Sequence, residues 1–160
     1  MAYSSSIVKT KRDGLVTITD GSTNYTVNFS VGDFSWEATK PELIIIRDRA
    51  TIAGARSGDD PAISFSFTVH MRALHDGTND ALYDILTAGT LGATTLTNVG
   101  GTGYEPFFCD VIFDIDATAL GDSKTYRITF NTCQLIGSVA EGDPNSLSVA
   151  GTCIGGLTYV

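Results

Sequence analysis

From Ile63 to Arg72 the chain alternates without a break. Ile63, Phe65, Phe67, Val69 and Met71 fall on one side, and Ser64, Ser66, Thr68, His70 and Arg72 fall on the other. Successive side chains of a β-strand point to opposite faces, so this period of two predicts a long strand with one face on a core and one in solvent. The chain must build a sheet with one apolar face, and the remaining segments have to cover it.

Other segments repeat the pattern. Leu15–Thr19 and Asn24–Ser30 are short β-type runs joined by Asp20-Gly21-Ser22-Thr23, which predicts a hairpin. Phe34 and Trp36 sit two apart on one strand face. Leu43–Ile46 is rich in β-branched residues and predicts a strand, with Ala50–Arg56 returning beside it and Ser57-Gly58-Asp59-Asp60-Pro61 as a turn. In Phe108–Ala117, Val111, Phe113 and Ile115 face one way, and Asp110, Ile112, Asp114 and Asp116 the other. Tyr126, Ile128 and Phe130 alternate with Arg127, Thr129 and Asn131. Asp143-Pro144-Asn145 makes a turn, Leu147–Cys153 a late strand and Leu157–Val160 a last one.

One segment reads as a helix. In Thr78–Ala88, Thr78 suits the N-cap, Asp80 suits the positive end of the dipole, and Ala81, Leu82, Ile85 and Leu86 form one stripe that Gly89 ends. So short a helix is unstable alone and must pack on the sheet. Thr90–Glu105, rich in Gly and Thr, reads as a loop with a short strand near Thr94–Asn98. The predicted fold is mainly β: eight to ten strands in two packed sheets, a sandwich or half-barrel, with one short flanking α-helix. The 160 residues fit a single domain, 1–160, with residues 1–14 as a flexible N-terminal arm.

Charge and cysteine content narrow the function. The formal net charge is −8. Residues 1–72 carry eight basic and eight acidic side chains, whereas residues 73–160 carry two basic (Lys124, Arg127) and ten acidic, so 2 − 10 places all of the −8 in the second half. A surface of this sign does not grip a polyanion. The three cysteines, Cys109, Cys133 and Cys153, include no CxxC pair and read as small buried strand residues. The first twelve residues lack the apolar core of a secretory signal, and no run approaches a membrane span, so synthesis in a cytoplasm is expected.

Catalytic patterns are missing. The sequence holds no GxSxG, no HExxH, no GxGxxG and no P-loop lysine, and His70 and His75 have no ligand spacing. Asp114 and Asp116 share a strand face as a metal-binding pair would, but so short a match arises often by chance. No cofactor, metal site or enzymatic activity is expected.

Several stretches carry a likeness instead. Val27-Asn28-Phe29-Ser30-Val31-Gly32-Asp33-Phe34, Lys40–Arg49, Gly58-Asp59-Asp60, Ser66–Arg72 and the closing Leu147–Cys153 together resemble major tail tube proteins of long-tailed, siphovirus-like bacteriophages. The resemblance implies two packed sheets with a flanking helix. It also implies a non-enzymatic virion protein that forms hexameric rings stacked into a hollow tube. Its partners would be further copies of itself and other tail proteins (tape measure, terminator, distal tail). DNA would pass through the lumen without specific binding, and no membrane anchor is implied. Six copies at −8 would give 6 × −8 = −48 per ring.

Two surfaces follow as expectations. Asp110, Asp114 and Asp116 share a face and are assigned to the lumen wall, where fixed cations would hold phosphate. Ala50–Pro61, with Arg56, Asp59 and Asp60, is assigned to contacts between rings. Two other readings stand beside this one. The first is a different ring-forming virion part: a tail terminator, a connector or a capsid decoration. The second is a carbohydrate-binding β-sandwich that uses Trp36 and Tyr104 as stacking platforms.

Overall fold

The computed structural model describes residues 14–28, 30–37, 40–71, 82–88, 90–91, 94–95, 107–116 and 125–160. Along the chain run β1 (Gly14–Thr19), β2 (Asn24–Thr26), β3 (Ser35–Glu37), β4 (Leu43–Asp48), β5 (Thr51–Ser57) and β6 (Ile63–His70). The helix α1 (Leu82–Ala88) and the two-residue strands β7 (Thr90–Leu91) and β8 (Thr94–Thr95) follow. The chain closes with β9 (Cys109–Asp116), β10 (Thr125–Ala140), β11 (Ser146–Cys153) and β12 (Leu157–Tyr159). The main sheet has eight strands in the order β2-β1-β9-β10-β11-β6-β3, with β12 also paired to β10. β4–β5 and β7–β8 form separate two-stranded pieces. Among the described residues every pairing of β1, β6, β9, β10 and β11 is antiparallel, the arrangement in which a sheet commonly has one buried and one wet face.

Local chemistry fixes the joints. The β1–β2 turn closes because the Asp20 carboxylate accepts the N–H groups of Thr23 (2.6 Å) and Ser22 (2.8 Å), and these bonds hold its pKa below the ordinary carboxylate range. β10 is 16 residues long and changes partners midway. Its first half pairs with β9 and β12, and its second half pairs with β11. The exchange happens at a bulge between Phe130 and Cys133, where Thr132 takes a φ of 54°. Asp110 holds the bulge open: its Oδ1 accepts the Thr132 N–H at 2.8 Å.

The sheet curls around one aromatic ring. Two strands, β10 and β11, separate β9 from β6, which in a flat sheet would place them about 14 Å apart. Phe34 bridges that gap. Its ring lies 4.5 Å from Phe113 of β9, tilted by only 7°, 5.7 Å from Phe65 and 5.8 Å from Phe67 of β6, and 5.6 Å from Phe130 of β10. Val16, Ile18, Val111, Leu147 and Val149 complete the buried face. Helix α1 packs Leu82 and Ile85 into this core, and a Cβ built on Gly137 of β10 would stand 2.5 Å from Leu86.

The mainly β class with one short helix on the sheet is as the alternation predicts. The first turn proposed for the helix, Thr78–Ala81, and most of the Thr90–Glu105 loop lie outside the described residues, as does most of the 1–14 arm. The large sheet supplies most of the interior by bending over itself, and the second sheet is the small β4–β5 ribbon. Trp36 is half-buried and packs against Phe113 and Phe130, so it faces inward rather than offering a flat platform for a sugar. Tyr104 lies outside the described residues.

Candidate assembly surfaces

The β4–β5 ribbon is built like a free arm. Leu43 pairs with Ser57, Ile44 with Arg56, Ile45 with Ala55 and Ile46 with Gly54. A bulge after Ile46 shifts the partners so that Arg47 meets Ile52. The tip turns in two residues, Arg49 (φ 47°) and Ala50 (φ 71°), both in the left-handed region that matches the twist of a tight hairpin. Every residue of β4 is exposed, and so is every residue of β5 except the half-buried Gly54. Strand alternation puts Leu43, Ile45 and Ile52 on one side and Ile44 and Ile46 on the other. Exposure reaches 65% at Leu43 and 60% at Ile52. Both faces of the ribbon are therefore apolar and wet.

At its base the ribbon meets the main sheet. Gly58 N–H donates to the Glu42 carbonyl at 2.7 Å and ties the two strand ends together. Beside this tie lies a cleft of about 420 Å³, lined by Pro41, Asp60, Pro61, Ile63, Cys153 and Ile154 among others. The residues assigned from sequence to ring contacts divide along this arm. Arg56 sits on β5 opposite Ile44, whereas Asp59 and Asp60 are exposed in the return loop at the base. The exposed isoleucines of β4 were not among the assigned contacts. Four apolar residues in succession were their signal, since a strand with one wet face alternates.

The carboxylates of β9 do specific local work. Asp110, Ile112 and Asp114 point away from the core face made by Val111 and Phe113. Asp110 is spent on the β10 bulge. Asp114 holds Arg127 with two parallel bonds, Nε to Oδ1 at 2.7 Å and Nη2 to Oδ2 at 2.9 Å. This pairing raises the guanidinium's pKa further. Asp116 closes β9 opposite Thr125, and its side chain lies outside the described residues. The strand register thus brings Asp114 onto a cation, while Asp110 points to backbone. Asp114→Asn should lower stability by no more than about 1 kcal/mol, because Arg127 is half in solvent. The same change releases the guanidinium, so the variant should elute later than the parent from a heparin or DNA column at low salt. Coincident elution would show that Asp114 does not mask Arg127.

No protein-family model matches the sequence, and no curated protein does. Solved structures do. A chain of the sheath–tube complex of an extracellular contractile injection system, PVC, in its extended state superposes with a TM-score of 0.65 at 9% identity, covering 98% of this chain and 93% of that one. This chain has a tail-tube-like fold. The anti-feeding prophage cap, a tube-terminating cap, matches with a TM-score of 0.65 at 9% identity over 100% and 95% of the two chains. The sheath/tube terminator of the PVC system in its extended state matches at 0.61 and 9% over 100% and 99%. These superpositions cover 98–100% of this chain. These neighbours come from contractile injection systems and an anti-feeding prophage, so the shared fold is not specific to siphovirus-like tubes. Among the described residues no helix is long and apolar enough to cross a membrane.

Proposed function

We propose that this chain is a structural tail subunit whose copies join side by side into rings, hexameric by the resemblance in its sequence. These rings stack into a tube in a virion tail, which serves as a conduit for DNA. The observation that carries this reading is the β4–β5 ribbon. A two-stranded hairpin is marginal in water by itself, and this one holds five large aliphatic side chains in solvent. Such an arm becomes stable when a neighbouring copy covers it. Arg56, Asp59 and Asp60 would supply the polar border of the contact between rings. The tail-tube-like fold supports the same conclusion.

The outer face of β9 remains our choice for the channel wall. The cation that meets this face, Arg127 of the neighbouring β10, is already engaged by Asp114, which masks its charge from phosphate. Tape-measure, terminator and distal-tail proteins would meet the tube at its ends. A second reading, a tube cap or terminator, is favoured by the likeness to the anti-feeding prophage cap and to the PVC sheath/tube terminator.

Electron microscopy of the purified protein near physiological salt separates these readings. Open-ended tubes are expected, discrete single rings would favour the terminator, and a monomer at every concentration would remove both. The double change Ile44→Asp with Ile46→Asp should abolish polymerisation. It should leave the monomer's thermal midpoint within about 2 °C of the parent, because exposed sites change stability by only a few tenths of a kcal/mol. Arg56→Ala with Asp60→Ala should shorten tubes and leave the same midpoint. Tubes of normal length in both variants would overturn the role given to the ribbon.

A further inference from the structure

Three thiols stand side by side across the sheet. Cys109 on β9 and Cys153 on β11 are both strand partners of Cys133 on β10, and all three are buried and free of disulfide bonds. Their thiols turn to different places. The Cys133 S–H donates to the Phe130 carbonyl at 3.1 Å, and the Cys153 S–H donates to the Asn131 carbonyl at 3.1 Å. Both sulfurs therefore gather at the same bulge. The Cys109 S–H instead faces the Cys133 carbonyl at 3.7 Å.

The ladder fixes what kind of pair Cys133 and Cys153 make. Ile154 N–H donates to the Thr132 carbonyl at 3.1 Å, the bond that flanks a pair which does not itself exchange hydrogen bonds. At such a pair antiparallel strands come closest, with Cα atoms about 4.5 Å apart. Disulfides span Cα separations of roughly 4.4–6.8 Å. We propose that Cys133 and Cys153 form a latent cross-strand disulfide site, open to oxidation by small-molecule disulfides, with Cys109 left as a thiol.

The route in is the cleft at the base of the ribbon, which Cys153 lines together with Ile63, Ile154 and Gly155. The Cys153 thiol gives up its proton and attacks one sulfur of the external disulfide, expelling a thiolate that takes a proton. The Cys133 thiol, likewise deprotonated, then attacks the Cys153 sulfur of the mixed disulfide and expels the second external thiolate, which is also protonated. Two protein thiols and one external disulfide become one protein disulfide and two external thiols. Burial pushes Cys133 upward, with Cys153 and Cys109 adding to the effect, and it lifts Cys109 to about 12. The thiolate is the attacking species, so closure is slow and waits on transient opening of the bulge. This site is independent of the assembly reading.

Incubation of the full-length protein with excess oxidised glutathione at neutral pH for a day tests it. Alkylation under denaturing conditions and digestion without reductant follow. A peptide pair linked through Cys133 and Cys153 is expected, with alkylation at Cys109 alone. The melting midpoint should rise by roughly 5–10 °C, since the bond closes a loop of about twenty residues. Cys109→Ala should give the same link. Three alkylated cysteines, a persistent glutathione adduct on Cys153, or a link through Cys109 would each overturn the proposal.

Discussion

Phe34→Ala is expected to lower the unfolding free energy by about 3–5 kcal/mol, the range for removing a buried phenylalanine. The upper part of that range applies here. Phe34 is 1% exposed and sits within 6 Å of five other rings, Trp36, Phe65, Phe67, Phe113 and Phe130. Its side chain fills the space between β6 and β9 across two intervening strands, so the void left behind cannot close unless the sheet bends further and the surrounding rings repack. Aromatic pairs add about 0.5–1.5 kcal/mol each beyond the area they bury, although these terms overlap within one cluster. Denaturant titration followed by Trp36 fluorescence measures the loss. A midpoint within error of the parent would mean that the ring cluster does not hold the curl.

Gly151→Ala should act from the opposite direction. Gly151 of β11 pairs with Phe65 of β6, and a Cβ built on it would lie 2.0 Å from the Phe65 Cζ and 2.4 Å from Cε2. The Cζ end of the Phe65 ring occupies the space where a side chain at this position would stand. One methyl group must push it off, and the ring cannot move far because it packs on Phe34 at 5.7 Å and Phe130 at 4.9 Å. Overpacking a dense core costs about 1–3 kcal/mol, and here the displaced group is the far side of the Phe34 cluster. Gly151→Ala combined with Phe65→Leu should recover part of the loss, since the smaller side chain vacates the space. Additive losses in the double variant would place the strain elsewhere.

The alternating segments were the legible part of the sequence. β6, β9 and β11 each keep a strict period of two, and their inward residues, Phe67, Val111, Phe113, Leu147 and Val149, are the buried ones. Leu82, Ile85 and Leu86 were readable as one helical stripe for the same reason, at a period near 3.6. The second half of β10 was not readable. Its bulge changes parity, so the buried positions run Phe130 and then Cys133, three apart, and the small residues Gly137, Ser138 and Ala140 that follow have no apolar rhythm. Of the candidate surfaces, the sequence showed that Asp110 and Asp114 share a face. Their separate tasks depend on Thr132 and Arg127, which only the strand pairing brings near. Leu43–Ile46 was legible as a strand, but a run that is apolar on both sides reads alike whether its own core or another molecule covers it.

The long strand β10 has a mechanical consequence. Its 16 residues extend for about 50 Å as one covalent thread through both halves of the sheet. Tension entering at Thr125 reaches Ala140 along peptide bonds, without having to pass sideways through any ladder of hydrogen bonds. The part of the sheet paired with β9 and the part paired with β11 are thus tied by one continuous strand, and a pull along it is carried by covalent bonds before any pair of strands has to slide.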